Sequence, residues 1–377
     1  MSEARILGIE TSCDETAAAV VASGERLLSN VVSSQIATHQ PYGGVVPELA
    51  SREHLRAIVP VVRQALSEAG ESYQSVDAIA VTQGPGLAGA LLVGISFAKA
   101  LSFALNKPLI TVNHLEGHIH AVLLEEKQKG NFRVEFPVLA LVVSGGHTHL
   151  FIADEQQHGW SYRNIGRTRD DAAGEAYDKV AKLLGLGYPG GPIIDALAPR
   201  GNSHAVRFGP AQIKHRNRGV SHEDQTAFDF SFSGIKTAVL RYVQLENMGA
   251  DIEARRAALA SFAKPRPQDV LPQCDQKTLD LIASFQRAVV DDLLSKTMAA
   301  ARACEARTLF VTGGVAANSE LRQAFEARAA GEGLPVFFPS RRLSTDNAAM
   351  IAAAAYPKFL AKDFADAAFS AEASLAL

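Results

Sequence analysis

Two histidines four residues apart, His114 and His118 in the run HLEGH, are the side chains best spaced for metal chemistry. On a helix such a pair differs in direction by about 40°, so both imidazoles reach one ion. Imidazole suits iron, zinc and similar metals. Two ligands leave an ion under-coordinated, and Asp346, in Ser344-Thr345-Asp346-Asn347, is the best third. That segment reads equally as helix N-terminal chemistry, with Ser344 or Thr345 as cap and Asp346 favouring the dipole. Spacing alone does not choose between the two, and the histidines also read as ordinary surface or core residues. His120 lies about 200° from His118 and is expected to face elsewhere. A metalloprotease would need HExxH, whose glutamate is the general base. Here the glutamate falls one place later, at Glu116, nearly opposite the midpoint of the two histidines. Glu116 stands three residues after Asn113, as in a capping box, and is expected to cap the helix.

Three double-glycine turns point to a phosphate or nucleotide site. Ser144-Gly145-Gly146-His147 joins two apolar segments, and glycines there let backbone N–H groups approach an anion. Gly313-Gly314, with Asn318, follows the strand-like residues 308–311, at the end where open α/β sheets bind ligands. Gly190-Gly191 follows a helical pattern over 171–184. Each turn alone reads as an ordinary turn. Glu175 and Asp178 share a helix face, which also reads as a solvated acidic surface paired with Lys179 and Lys182. The run FSFSGIKT (230–237) reads as strand, turn and helix start, contacting a ligand or merely packing. The basic clusters at 214–218, Arg255-Arg256 and Arg341-Arg342 are candidate RNA contacts, or solvated charge.

Positioning these groups requires an alternation of strands and helices, which predicts an α/β protein. Residues 5–10 (RILGIE) and 16–22 (TAAAVVA) read as two strands around a small polar turn. A helix over 48–69, a strand over 78–82, a long apolar helix, a strand over 109–112 and a helix from His114 follow. A charged stretch over 125–135 reads as a domain boundary. The hairpin pattern then restarts with strands over 137–144 and 148–153, suggesting a duplicated architecture with a cleft between lobes. The polar segments 209–229 and 247–276 read as surface insertions. The tail after Lys362 reads as helical or frayed, without chemistry.

The 377 residues suggest two or three domains, and 47% hydrophobic with 20% charged residues is a globular composition. A net charge of -3 argues against a generally basic nucleic-acid binder but leaves room for a local basic site. Three cysteines without a CxxC pair suggest a reducing compartment, and the first ten residues show no signal-peptide pattern. The apolar run 88–105 is interrupted by Lys99 and two glycines, so a buried helix is expected rather than a membrane span.

Several motifs together resemble one family. They are GIETSCDETAAAV (8–20), NHLEGHIHA (113–121), VSGGHT (143–148), DDAAGEAYDKVAKLLGLGYPGGP (170–192), FSFSGIKTAV (230–239), TGGVAAN (312–318) and STDNAAM (344–350). In this order they resemble the bacterial tRNA N6-adenosine threonylcarbamoyltransferases, the TsaD family. The resemblance implies an actin-like ATPase fold of the sugar kinase and heat-shock ATPase type, with two duplicated lobes around a cleft. The implied lobes are 1–130 and 136–345, with 346–377 a helical segment packing back on the first. The implied reaction moves a threonylcarbamoyl group from threonylcarbamoyl-adenylate to N6 of adenosine 37, in the anticodon loop of tRNAs reading codons that start with A. AMP leaves. TsaB and TsaE are the implied partner proteins, the cytoplasm the implied location, and no membrane is involved. Carried onto this chain, His114, His118 and Asp346 hold one divalent metal, Fe2+ or else Zn2+. Val142, Val143, Ser144, Gly145, Gly146, Asp178, Gly191, Asp195 and Asn318 bind the adenylate. Glu10 is the acidic residue expected near the chemistry, as a base. A metalloprotease using HLEGH and a non-catalytic, nucleotide-gated module are the competing readings.

Overall fold

The computed structural model describes residues 3–130, 132–157, 159–209, 228–262, 265–366 and 368–377. Its first half contains β1 (Arg5–Glu10), β2 (Glu15–Ala22), β3 (Arg26–Ser34), α1 (Ile36–His39) and α2 (Pro47–Ala69). Next come β4 (Ala78–Gly84), α3 (Ala88–Leu105), β5 (Leu109–Asn113) and α4 (His114–Gln128). The strands form one sheet in the order β3-β2-β1-β4-β5, antiparallel across β1, β2 and β3 and parallel across β1, β4 and β5.

The second half repeats this plan. It begins with β6 (Val138–Val143), β7 (Thr148–Gln156), β8 (Gly159–Arg167), α5 (Ala173–Leu183) and α6 (Gly190–Leu197). After α7 (Ser233–Leu245), α8 (Gly249–Leu259), α9 (Pro267–Val270) and α10 (Gln276–Ala303) come β9 (Thr308–Thr312), α11 (Ser319–Glu332) and β10 (Val336–Phe337). Read from its far edge, this sheet runs β8-β7-β6-β9-β10, again an antiparallel meander followed by parallel strands. Two sheets of identical order make the expected duplicated actin-like ATPase fold. Finally α12 (Arg341–Ser344) and α13 (Ala348–Ala361) return to the first sheet, where α13 packs on α4, β1 and β2.

Close packing brings the elements of the site together. Residues Ala348 to Ala355 are all buried, and their small side chains let α13 lie flat on β1. A Cβ on Gly8 would stand 2.4 Å from the Ala348 carbonyl oxygen and 2.9 Å from the Ala352 nitrogen. Likewise a Cβ on Gly117 of α4 would meet Ile351 Cδ1 of α13 at 2.8 Å. Helix α4 itself is sandwiched. Ala121 and Leu124 face the first sheet's core, while Leu115, Ile119 and Val122 pack with Phe151 and Phe310 of the second. Burial on both sides explains why its sequence lacks a clear polar face.

Four expectations change. Helix α4 runs to Gln128, into the stretch read as a boundary. The segment 247–276 is no surface insertion: Ile252, Arg255, Leu259 and Val270 are buried in the second core. Helix α3 buries Leu91, Ile95 and Ala98 on one face, yet leaves Leu92 and Phe103 exposed on the other. Among the described residues after Lys362 none is helical; Ala365, Glu372, Ala373 and Ala376 are hydrogen-bonded to β5, β4 and the loop after β4. Residues 210–227, including the basic cluster 214–218, lie outside the described residues.

Candidate metal centre

Each ligand sits at an element end. His114 opens α4 directly after β5, with Asn113 as N-cap: its side-chain oxygen accepts from the Leu115 N–H. One turn on, His118 is fully buried. Asp346 lies between α12 and α13, and Asn347 fixes that turn. The Asn347 amide donates to Leu343 and Thr345 carbonyls, while its oxygen caps α13 at the Met350 N–H. The cap is Asn347 rather than Ser344 or Thr345, and Asp346 is left to face the histidines. Asp346 Oδ1 stands 3.2 Å from His118 Nε2 and 3.7 Å from His114 Nε2. One ligand atom from each residue falls within 4.8 Å of the others.

The chemistry of this donor set fits a metal. His118 Nδ1 has no hydrogen-bond partner although the ring is buried, and Nε2 meets only the Asp346 carboxylate, 3.2 Å away. Such orphaned groups are costly unless something satisfies them. Glu10 supplies the outer contact. Its Oε2 lies 3.1 Å from His114 Nδ1 and accepts from Thr82 Oγ1 at 2.7 Å, while Oε1 accepts from the Ser12 N–H. A proton on Nδ1 directed to Glu10 leaves His114 Nε2 as a donor toward an ion. Burial pulls His114 down, but Asp346 and Glu10 together raise it to about 9. Burial likewise opposes ionisation of Glu10 and Asp346, yet the histidines hold Glu10 below its ordinary value and Asp346 well below.

Neighbouring groups define what the centre can do. His147 places its ring 5.7 Å from that of His114, and burial with the nearby histidines keeps it neutral, at about 3. Glu116 turns away to Lys358 Nζ, 3.4 Å distant, and accepts from the Asn113 N–H. Asn113 caps α4 through the Leu115 N–H rather than in a full capping box, and Glu116, engaged with Lys358, does not face the histidines. His120 also faces away, 3.1 Å from the Tyr162 hydroxyl.

The glycine turns cluster on the second lobe. Val142 and Val143 are buried in β6, whereas Gly145 and Gly146 are exposed with open space where a Cβ would project. A Cβ on Gly174 would meet Ser144 O at 2.7 Å, so α5 begins directly against this turn. Asp178 accepts from the Gly190 N–H at 2.7 Å, and burial raises its carboxyl to about 6. Gly191 faces open space. Asp195 accepts from the Ser319 N–H and hydroxyl, while Asn318 caps α11 and donates to Gln286. The contacts thus link Asp178 to Gly190, Asp195 to Ser319, and Asn318 to Gln286. Asp170 accepts from Ser231, Ser233 and the Phe232 N–H, which anchors the FSFSG turn. Arg255 is no RNA contact: it is buried, donating to Leu184 O, Gln273 O and Thr278 Oγ1.

Ser12, Thr82 and His147 were not foreseen as parts of the centre. His147 had a signal, standing beside Gly145-Gly146; Thr82, at the end of an apolar strand, had none. Among the described residues, cavities of about 490 Å3 open at two places on the surface. One, lined by Glu135, Arg302 and Arg307, lies at the strand ends away from the centre. The other includes Leu115 and His147 and adjoins it.

Residues 26–353 match the family profile described as "TsaD: tRNA N6-adenosine threonylcarbamoyltransferase". The chain is 70% identical to the tRNA N6-adenosine threonylcarbamoyltransferase of Koribacter versatilis, over all of both chains. It is 48% identical to that of Moorella thermoacetica, covering 100% of this chain and 98% of the relative. Among solved structures it is similar to the activator of the 2-hydroxyisocaproyl-CoA dehydratase from Clostridium difficile, with TM-score 0.47 and 12% identity over 96% of this chain and 98% of the other. The ROK hexokinase from Thermus thermophilus matches with TM-score 0.40 and 19% identity over 95% of this chain and 99% of its own. With a profile match over most of its length and full-length relatives at this identity, the chain belongs to the tRNA N6-adenosine threonylcarbamoyltransferase family.

Proposed function

We propose that the acyl donor is threonylcarbamoyl-adenylate, that AMP leaves, and that the acceptor is N6 of adenosine 37 in an anticodon loop. The observation that carries this reading is the pairing of buried His114 and His118 and half-buried Asp346 with the open Gly145-Gly146 turn, whose neighbour His147 lies against His114. The exocyclic amine of adenine is a poor nucleophile because its lone pair is delocalised, so an activated acyl group compensates. Two imidazoles and a carboxylate with open positions match iron(II), with zinc as the alternative. When bound, the ion orients the donor and stabilises negative charge on its oxygens.

The chain's own residues do the rest. Glu10 fixes His114, and with both oxygens engaged it acts as a positioning residue rather than as the base. The turn Val142–Gly146 and Gly191 approach the adenylate phosphate and sugar with backbone N–H groups. Asp178, Asp195 and Asn318 complete that wall. Glu116, engaged with Lys358, leaves the metalloprotease reading without a base.

We assign 1–130 and 136–345 as the working lobes, with 346–377 returning to the first. TsaB- and TsaE-type partners are also part of this proposal. The outer face of α2 and α3 supports it: Leu55 is 65% exposed, Leu92 50% and Phe103 91%, an apolar surface suited to a protein partner. Three unpaired cysteines fit a cytoplasmic setting.

The test mixes the protein with synthetic threonylcarbamoyl-adenylate, the partner proteins and tRNA, then weighs the digested nucleosides. A threonylcarbamoyl mass on adenosine is expected. Casein cleavage without nucleoside modification would overturn the reading.

A further inference from the structure

We propose that the cavity beside the metal centre is the seat of the acceptor nucleoside, and that residues 373–377 of the C-terminal segment form one of its walls. This rests on the transfer reading above and adds where the RNA enters.

The cavity measures about 490 Å3, within the range of about 300–1,000 Å3 typical of small-ligand pockets. On one side stand His147, His149 and Phe151 of β7 with Asn164 and Arg167 of β8; on the other runs Ala373–Leu377. His147 connects it to the centre, its ring 5.7 Å from His114. No aspartate or glutamate side chain lines it. Residues assigned to the adenylate wall, Asp178, Gly191, Asp195 and Asn318, are absent from its lining, so donor and acceptor reach the centre from different sides.

Its chemistry suits single-stranded RNA. The His149 ring lies parallel to that of Phe151, at 7° and 5.5 Å between centroids, and is only partly buried. A flat ring of this kind stacks a splayed base. Asn164 holds it by donating to His149 Nδ1 at 2.9 Å. The Arg167 side chain is exposed at the rim, where a phosphate would pass.

The C-terminal wall is built in. Glu372 N–H donates to Gln83 O at 3.0 Å, and Gly86 N–H donates to Ala373 O at 3.2 Å. A Cβ on Gly84 would stand 1.9 Å from Glu372 O, so this approach requires glycine. Asn113, the cap of the metal helix, donates to Ala376 O at 3.2 Å. Three of the five wall residues, Ala373, Ser374 and Ala376, carry small side chains that leave room for a base.

Two variants decide it: a chain ending at Glu372, and Arg167→Ala. Binding of an anticodon stem-loop RNA is read by fluorescence anisotropy without donor, and KM for donor and tRNA are measured separately. Truncation removes the wall that confines the base against His149, so RNA binding is expected to weaken about tenfold, with donor KM unchanged. Arg167→Ala is expected to weaken binding and lower the slope of log affinity against log salt by about one. Unchanged or tighter RNA binding in either variant overturns the proposal, as does a change confined to donor KM. Should the truncated chain fail to fold in a melting scan, Arg167→Ala alone decides. Wild-type protein that neither binds the RNA nor transfers would sink the transfer reading instead.

Discussion

Gly8→Ala is expected to damage the metal centre without touching a ligand. Gly8 lies in β1, two residues before Glu10, and its added Cβ would stand 2.4 Å from Ala348 O and 2.9 Å from Ala352 N. Both are backbone atoms of α13, so no side chain can rotate to make room. Reaching ordinary contact requires α13 to retreat by about 0.5–1 Å, and forced overpacking costs about 1–3 kcal/mol. Asp346 lies two residues before Ala348 and moves with it. Ligand distances tolerate only about 0.2 Å, so metal affinity should fall at least tenfold. Gly249→Ala is the matched control: it opens α8 with nothing within 4 Å of the added Cβ, and should be near neutral or slightly stabilising. Urea unfolding of metal-free protein gives the stability change, and competition with a chelator gives the affinity. Should Gly8→Ala match Gly249→Ala in both measurements, the packing argument fails.

Glu10→Gln should lower metal affinity about 10–100-fold with little change in fold, because it removes the group orienting His114. Chelator competition reads this, and unaltered affinity would remove Glu10 from the centre. Metal binding should also release a proton. His114 in the metal-free protein sits at about 9, above its ordinary 6.5. Its protonated form therefore stabilises the metal-free fold fully below pH 6.5, and that contribution is lost as pH rises through 9. Affinity should climb across this window, which calorimetry in buffers of different ionisation heat detects; a flat profile contradicts the assignment. Glu116→Ala should cost about 1 kcal/mol and leave transfer intact, as for a lost cap; abolished transfer in a folded variant would restore a catalytic role. Asp178 is raised to about 6 by burial, so its contribution favours the fold at low pH and is lost as pH passes 6. Asp178→Asn should accordingly gain stability relative to wild type at pH 8 but not at pH 4, read by thermal melts at both.

The parts legible in the sequence were those with local rules. Strand β1 reads from its apolar centre Ile6–Ile9, His114 and His118 follow helical spacing, and Asn113 is a favoured N-cap residue. The two restarting hairpins disclosed the duplication, because a tight turn between apolar strands is a local pattern. Edge strands were lost. In β8, GWSYRNIGR, partly buried Trp160, Tyr162 and Asn164 alternate with exposed Ser161 and Arg163, but only Ile165 and Gly166 are fully buried, so the pattern is short and weak. Helix α10 and the burial of Arg255 also escaped, since polar residues there are satisfied by partners distant in sequence. Asp346 could not be chosen from spacing because its meeting with His118 depends on α13 lying against Gly8 and Gly117. The path of residues 368–376 escaped for the same reason: backbone bonds to Gln83 and Gly86, and the Ala376 carbonyl accepting from the Asn113 side chain, leave no mark on the segment's own side chains.

The central claim is that His114, His118 and Asp346 hold an ion that transfer requires. The most direct measurement compares wild type with Asp346→Ala for bound metal and for threonylcarbamoyl-adenosine formed in tRNA, using the same donor and partner proteins. The account predicts that the variant folds, binds metal poorly and loses transfer by about 100-fold or more. A variant that keeps full metal content and transfers at the wild-type rate would contradict it.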